Sequence, residues 1–309
     1  MSRLSFVLIF IALLSGCVSM PEAPLPDWQA PLHRSHPLVG SIWDVNAERY
    51  LSPHELLQDL SQVDYALLGE KHDNPDHHQL QAYVLRRLYE AAVLASVSFE
   101  MLDSSQKEAL ASIPLSVLQS SDALKSHLGW DEDGWNWGFY GPMLYELLHN
   151  DVKVRSANIS SDEMMSIYGN EDSDAIKGVL SQEQLLRLER EIDESHCGML
   201  PASQFAPMMR VQRSRDAQMA MSLQDGANAR PGVSVLIAGN FHARRDLGVP
   251  NYIPEPSKLK SLSFIELREE SSEPRDYVLA LEPGQPYDYL WFTPAVASQD
   301  YCASLRGDD

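Results

Sequence analysis

Apolar and polar positions switch between two periods along this chain, and the switches predict its elements. VDYALLGE (63–70) is an apolar run opening into polar residues, the pattern of a strand buried on both faces. NPDHHQLQAYVLRRLYEAA (74–92) follows at helical spacing, with Pro75 near its first turn, where a missing N–H costs nothing. VLASVSFEM (93–101), KVRSAN (153–158) and SVLIAGN (234–240) predict further strands. DSSQKEALASI predicts a short helix, and YGPMLYELLHND (140–151) a longer one with Pro142 near its start. Residues 160–225 are helical in pattern almost throughout, which predicts a helical insertion or cap. SLSFIEL, DYVLALE and YDYLWFT, all within 261–293, predict strands that close the chain. Strand and helix in alternation predict a mostly parallel sheet with right-handed crossovers.

The first residues do not share these patterns. MSRLSFVLIFIALLSGC has Arg3, an apolar run and then Leu14-Ser15-Gly16-Cys17. This predicts a lipoprotein signal peptide over 1–16 with Cys17 as the lipidated residue. The run is short for a membrane span, whereas several acyl chains on one Cys anchor stably. Val18 and Ser19 follow the Cys without an Asp, which by similarity to enterobacterial sorting rules favours the outer membrane over the inner one. VSMPEAPLPDWQAPLHRSHPLVG is rich in Pro and lacks periodicity, so 17–40 is expected to be a tether. The folded domain is then expected over 41–295, with a tail at 296–309.

A net charge of −20 argues against nucleic acid as a partner and against a broad contact with anionic lipid. An anionic ligand would need local Arg groups, and the chain has several: Arg86 and Arg87; Arg210, Arg213 and Arg215; Arg244 and Arg245. Cys197 and Cys302 would sit in an oxidising compartment, compatible both with a bridge and with two separate thiols.

Candidate chemistry concentrates where strands end. YALLGE ends on Glu70 with His72 just beyond; VLASVSFE ends on Glu100; KVRSAN ends on Asn158; SVLIAGN ends on Asn240, with His242 two residues on. In a parallel sheet these ends share one edge, the edge on which such folds bind ligands. Gly69-Glu70-Lys71-His72 and Gly239-Asn240-Phe241-His242 repeat one spacing, a Gly for a close exit and a His three residues later. Glu70, His72, Glu100 and His242 are therefore candidate acid–base residues. His72, Glu100 and His242 would also serve as ligands for a divalent metal. His77 and His78 fall on the following helix, each sharing a face with Gln81, as support for His72. There is no H-E-x-x-H, G-x-S-x-G, P-loop or Rossmann glycine pattern. Met164, Met165, Met199, Met208, Met209, Met219 and Met221 crowd the helical insertion, which suits either core packing or a flat apolar ligand. Trp130, Trp135 and Trp137 in GWDEDGWNWGFYG predict a packed loop over the sheet.

LLGEKHDNPDHHQLQ, SFEM, WNWGFYGPML, HCGMLP, MMRVQRSRDAQMA and VLIAGNFHARRDLGVP occur in this order over roughly residues 38 to 255. Together they resemble the ChaN family of haem-binding lipoproteins. The resemblance implies an α/β fold, a three-layer α/β/α sandwich with a mostly parallel sheet and a smaller helical domain. It implies haem or iron uptake at the outer membrane, with a TonB-dependent haem receptor as a partner. It further implies haem held as a stacked pair between two subunits, with a Tyr on iron. Tyr168, Tyr140 and Tyr252 are candidates; Tyr168 is preferred because it lies in the helical insertion, with His196, Arg210 and Arg244 as further haem contacts. A phenolate is a reasonable ligand for ferric haem. The wider superfamily holds erythromycin-esterase-like and Tiki-like proteins, which implies a hydrolase as the alternative, built on the strand-edge Glu and His residues.

Overall fold

The computed structural model describes residues 24–170, 176, 178–281, 285–297 and 302. Residues 1–16 and Cys17 lie outside the described residues. In chain order the elements are β1 (Ile42–Asp44), β2 (Arg49–Leu51), α1 (Pro53–Leu60), β3 (Tyr65–Glu70), α2 (Pro75–Glu90) and β4 (Leu94–Asp103). Next come α3 (Lys107–Ala111), α4 (Ser121–Leu128), α5 (Trp137–His149), β5 (Lys153–Asn158), α6 (Ser161–Gly169), α7 (Gln182–Ser195) and α8 (Ala202–Ala229). The chain closes with β6 (Val233–Gly239), α9 (Asn240–Ala243), β7 (Leu259–Glu266), α10 (Pro274–Ala280) and β8 (Tyr289–Thr293).

The sheet runs β2-β1-β8-β7-β3-β6-β4-β5. From β8 to β5 every pairing is parallel, and β1 and β2 add an antiparallel edge. Successive residues of a strand point to opposite faces, so each central strand feeds two cores. Ala66 and Leu68 of β3, with Val235 and Ile237 of β6, pack under α1, α2, α4 and α5. Tyr65, Leu67, Leu236 and Ala238 pack against Met219, Ala220 and Leu223 of α8, Ala243 of α9 and Tyr277 of α10. That is the three-layer α/β/α sandwich. A third, small cluster around Leu180, Leu188 and Ile192 gives the helical part its own core.

Three readings of the pattern change. DYVLALE is helical: Glu273 and Asp276 form a capping box, Pro274 takes the first turn, and Tyr277 is buried. Its apolar run was compatible with either element, and the caps decide. Pro142 lies inside α5, because Asn136 caps that helix four residues before Tyr140 is reached, its side chain accepting from the Gly138 N–H. The expected tether of 17–40 is held down along its described length. Leu32 bridges Ala295, Ala30 and Leu38 are buried, and the Asp76 carboxylate accepts the N–H groups of Gln29 (2.6 Å) and Ala30 (3.2 Å). An extended strap makes its contacts without any period, which is why composition alone read it as free. The helical insertion extends to Ala229.

Candidate active site and ligand cavity

The C-terminal ends of β3, β4 and β6 bring Glu70, Glu100 and Gly239 side by side, since Glu70 pairs in register with Gly239. A methyl group on Gly239 would lie 2.9 Å from Cε1 and Nε2 of His72, and one on Gly69 2.7 Å from the Asn240 side chain. Both glycines of the repeated spacing are therefore needed for close approach. The β3 exit is pinned by the two helix histidines. The Lys71 N–H donates to His77 Nδ1 at 2.8 Å, and His77 Nε2 is 2.9 Å from Thr293 Oγ1. An acceptor Nδ1 requires a neutral ring, and full burial pushes His77 down to about 3. His78 Nε2 donates to the His72 carbonyl at 3.0 Å, while its Nδ1 lies 2.8 Å from Glu70 Oε2. Both histidines support the loop, as expected, and His77 also lines the strand-edge cavity.

Around this loop, charge is matched in two groups. Glu70 Oε1 accepts from Tyr140 Oη at 2.5 Å and lies 3.0 Å from His72 Nδ1. Burial opposes its ionisation, but His78 and His72 outweigh that and hold Glu70 down at about 2. Glu100 Oε2 accepts the Gly239 N–H at 2.8 Å, and its Oε1 lies 3.3 Å from His242 Nε2. Burial again opposes the charge, and His242 and His72 hold Glu100 at about 2. His242 Nδ1 is 2.6 Å from Asp216 Oδ1. Although burial works against its charge, the Glu100 and Asp216 carboxylates raise His242 to about 10. Burial pushes Asp216 itself up to about 6 despite its partner.

The two histidines of the repeated motif thus differ. His242 is buried with both nitrogens on carboxylates, which favours its protonated form. His72 keeps 45% of its side chain exposed. It lies edge-on to Trp135 with ring centroids 5.0 Å apart, at the mouth of a cavity of about 580 Å³. Glu70 and Glu100 raise its pKa. The expectation that His72, Glu100 and His242 bind a divalent metal is corrected: among the described residues no group of three or more His, Cys, Asp or Glu could hold one. Asn158 and Asn240 are structural. Asn158 Nδ2 donates to the Glu100 carbonyl at 3.1 Å, and Asn240 Nδ2 to the Phe264 carbonyl at 3.0 Å.

Sequence reasoning missed Asp216, and it placed Tyr140 among the haem tyrosines rather than under Glu70, where its side chain is buried. Asp216 had a signal. It falls on the α8 stripe that continues through Met219, Ala220 and Leu223, and a carboxylate on a buried stripe needs a partner.

A second cavity, of about 810 Å³, opens between α6, α7 and α8. Met164, Met165, Met208, Ile192, Val211 and Phe241 supply apolar wall, and Tyr168 and His196 also line it. The Tyr168 hydroxyl has no hydrogen-bond partner among the described residues. His196 Nδ1 is 2.6 Å from the Ile192 carbonyl. That contact requires an Nδ1–H, so in the neutral ring the lone pair sits on Nε2. The other two expected haem contacts, Arg210 and Arg244, have partners within the chain. Arg210 is occupied at the end of α6, donating to the carbonyls of Ile167 (3.3 Å) and Tyr168 (3.0 Å). Arg244 is spent on Glu191 (2.7 Å) and Asp246 (2.8 Å). Cys197, next to His196, is bonded to Cys302.

A three-layer α/β/α sandwich with charged residues on its strand edge and an apolar cavity under a helical insertion defines the class of this protein. The family described as "Haem-binding uptake, Tiki superfamily, ChaN" matches residues 56–253, and the chain belongs to it. Its structure is similar to that of ChaN from Campylobacter jejuni, at 22% identity over 81% of this chain and 95% of that one, with a TM-score of 0.65. It is more distantly similar to a mutant of the erythromycin esterase EreC, at 12% identity over 80% of this chain and 95% of that one, with a TM-score of 0.47. No curated protein matches the chain.

Proposed function

We propose that this protein binds haem in the cavity between α6, α7 and α8, with the Tyr168 phenolate on the ferric iron. The observation that carries this reading is an apolar cavity of about 810 Å³ lined by a Tyr whose hydroxyl is uncommitted. The volume falls within the usual range for organic ligands, roughly 300–1,000 Å³. The methionines give the wall a soft, adaptable surface suited to a flat macrocycle. His196, with its Nε2 lone pair, stands on the same wall. Haem would supply a Lewis-acidic iron, and this chain would supply the phenolate and an apolar enclosure. The Campylobacter relative is described as binding haem cofacially, and cofacial binding by this chain would join two copies. Cys17 carries the lipid anchor, and the protein acts at the outer membrane, facing the periplasm or the cell surface. There it takes part in haem and iron uptake or storage beside a TonB-dependent receptor. Titration of the purified protein with ferric haem, followed by absorbance, tests the reading. A Soret band that shifts on binding and is altered in Tyr168→Phe is expected. A spectrum identical to free haem at saturation would sink it.

A second reading rests on the strand edge. His72, oriented by Glu70 at 3.0 Å and open to the 580 Å³ cavity, is placed to activate a water molecule, with the His242 imidazolium nearby as a fixed positive charge. It predicts ester or amide hydrolysis that His72→Ala abolishes. The same panel of substrates left untouched by the wild-type protein would remove it.

A further inference from the structure

Arg215 is out of keeping with the rest of this acidic molecule. The chain holds 44 Asp and Glu against 24 Lys and Arg, and several of its other arginines are matched by carboxylates: Arg86 with Glu146, Arg187 and Arg244 with Asp246, Arg245 with Asp288. Arg215 has no carboxylate partner among the described residues. Its Nη2 reaches the Met164 thioether at 3.4 Å, and its Nε is enclosed without any acceptor. A guanidinium has five N–H donors, and a thioether is a weak acceptor. The adjacent acid, Asp216, is committed to His242. Arg215 also occupies a particular place: it lines both the helical cavity and the strand-edge cavity, as do Gln212 and Phe241.

We propose that the two cavities form one site for an amphipathic ligand, and that Arg215 binds its carboxylate where they meet. The apolar body lies among the helices, and the carboxylate arm projects toward the His72 side. Two acids share the helical cavity with it: Glu191 is neutralised by Arg244 at 2.7 Å, and Glu194 stands exposed at the rim. Neither forms an ion pair with Arg215 among the described residues. The proposal deepens the haem reading by naming the group that holds a porphyrin propionate, and it rests on that reading only for the identity of the macrocycle.

Metal-free protoporphyrin IX and its dimethyl ester separate the two claims, because neither uses the Tyr168–iron bond. Binding of each, followed by fluorescence, is compared in wild type, Arg215→Gln and Arg215→Lys, with thermal unfolding as the check on folding. A charge-assisted hydrogen bond of about 1.5–3 kcal/mol corresponds to a preference for the free acid of roughly 10- to 150-fold. The wild-type protein is expected to show that preference. Arg215→Gln is expected to lose it with little change in affinity for the ester, and Arg215→Lys to recover part of it. Equal binding of acid and ester by wild type, a preference that survives Arg215→Gln, or no binding of either compound overturns the proposal. Ferric haem giving no Tyr168-dependent band, while the protoporphyrin preference holds, overturns the haem reading alone.

Discussion

His242 sits between Asp216 at 2.6 Å and Glu100 at 3.3 Å, and its whole behaviour follows from that. An imidazole free in water titrates near 6.5, whereas this one is raised to about 10. A raised value means that the folded state binds the proton more tightly than the unfolded chain does. The contribution is therefore present in full below about pH 6.5 and is lost as pH rises through about 10. Asp216, at about 6, and Glu100, at about 2, are both ionised above pH 7, so in this trio the alkaline loss belongs to His242. We expect the His242 ring, followed by NMR, to remain protonated past pH 8. In Asp216→Asn it should titrate well below that, with the alkaline fall in denaturant midpoint moving in step. A wild-type His242 that titrates near 6.5 would show that the carboxylates do not grip it. Removing one partner of a buried pair outright, as in Asp216→Ala, should cost about 3–5 kcal/mol by equilibrium unfolding.

At the level of elements, the helix that carries Asp216 approaches the sheet with almost no room to spare. A methyl group on Gly226 of α8 would lie 2.0 Å from Ser96 Oγ and 2.4 Å from Ser234 Oγ, and those two hydroxyls share a hydrogen bond of 2.6 Å. Ser222 on the same helix meets Ser98 Oγ at 2.9 Å. Small residues on both surfaces set the height of α8, and with it the depth of Asp216 and of the helical cavity wall. Gly226→Ala should destabilise the protein by about 1–3 kcal/mol, the usual cost of overpacking, and Ser96→Ala combined with Ser234→Ala should return part of it. Denaturant unfolding of the three proteins measures this, and an unchanged midpoint in Gly226→Ala would mean that the helix has slack. This contact also shows where sequence reading stopped. β3, β4, β5 and β6 were legible because strands buried on both faces read as continuous apolar runs. Glu70, Glu100 and His242 were legible because parallel strands end on one edge. β1 and β2 are three residues each and leave no period to detect. The pairing of His242 with Asp216, and the difference it makes between His242 and His72, depends on how a helix docks on a sheet, which no local pattern encodes.

The molecule as a whole is closed by a covalent link that composition left open. Cys197, just past α7 within the helical insertion and beside His196, is bonded to Cys302 across 105 residues of sequence. The loop so closed contains α8, β6, β7, α10 and β8, and thus two strands flanking the β3 exit and one wall of the helical cavity. Loop-closure entropy for a span of that length corresponds to about 4–5 kcal/mol taken from the unfolded ensemble. A chain with a net charge of −20 adds self-repulsion, which favours expansion once contacts loosen and is strongest at low salt. The link should therefore matter most in dilute buffer. Cys197→Ser with Cys302→Ser, or the wild type under reductant, should unfold at a clearly lower denaturant concentration than the oxidised protein, with the gap narrowing as salt is added. The His196 end of α7 should gain amide exchange before the sheet does, because it loses its tie to the C-terminal segment while the parallel core keeps all of its pairings. Superimposable unfolding curves with and without reductant would show that the fold holds the end of α7 without the bond.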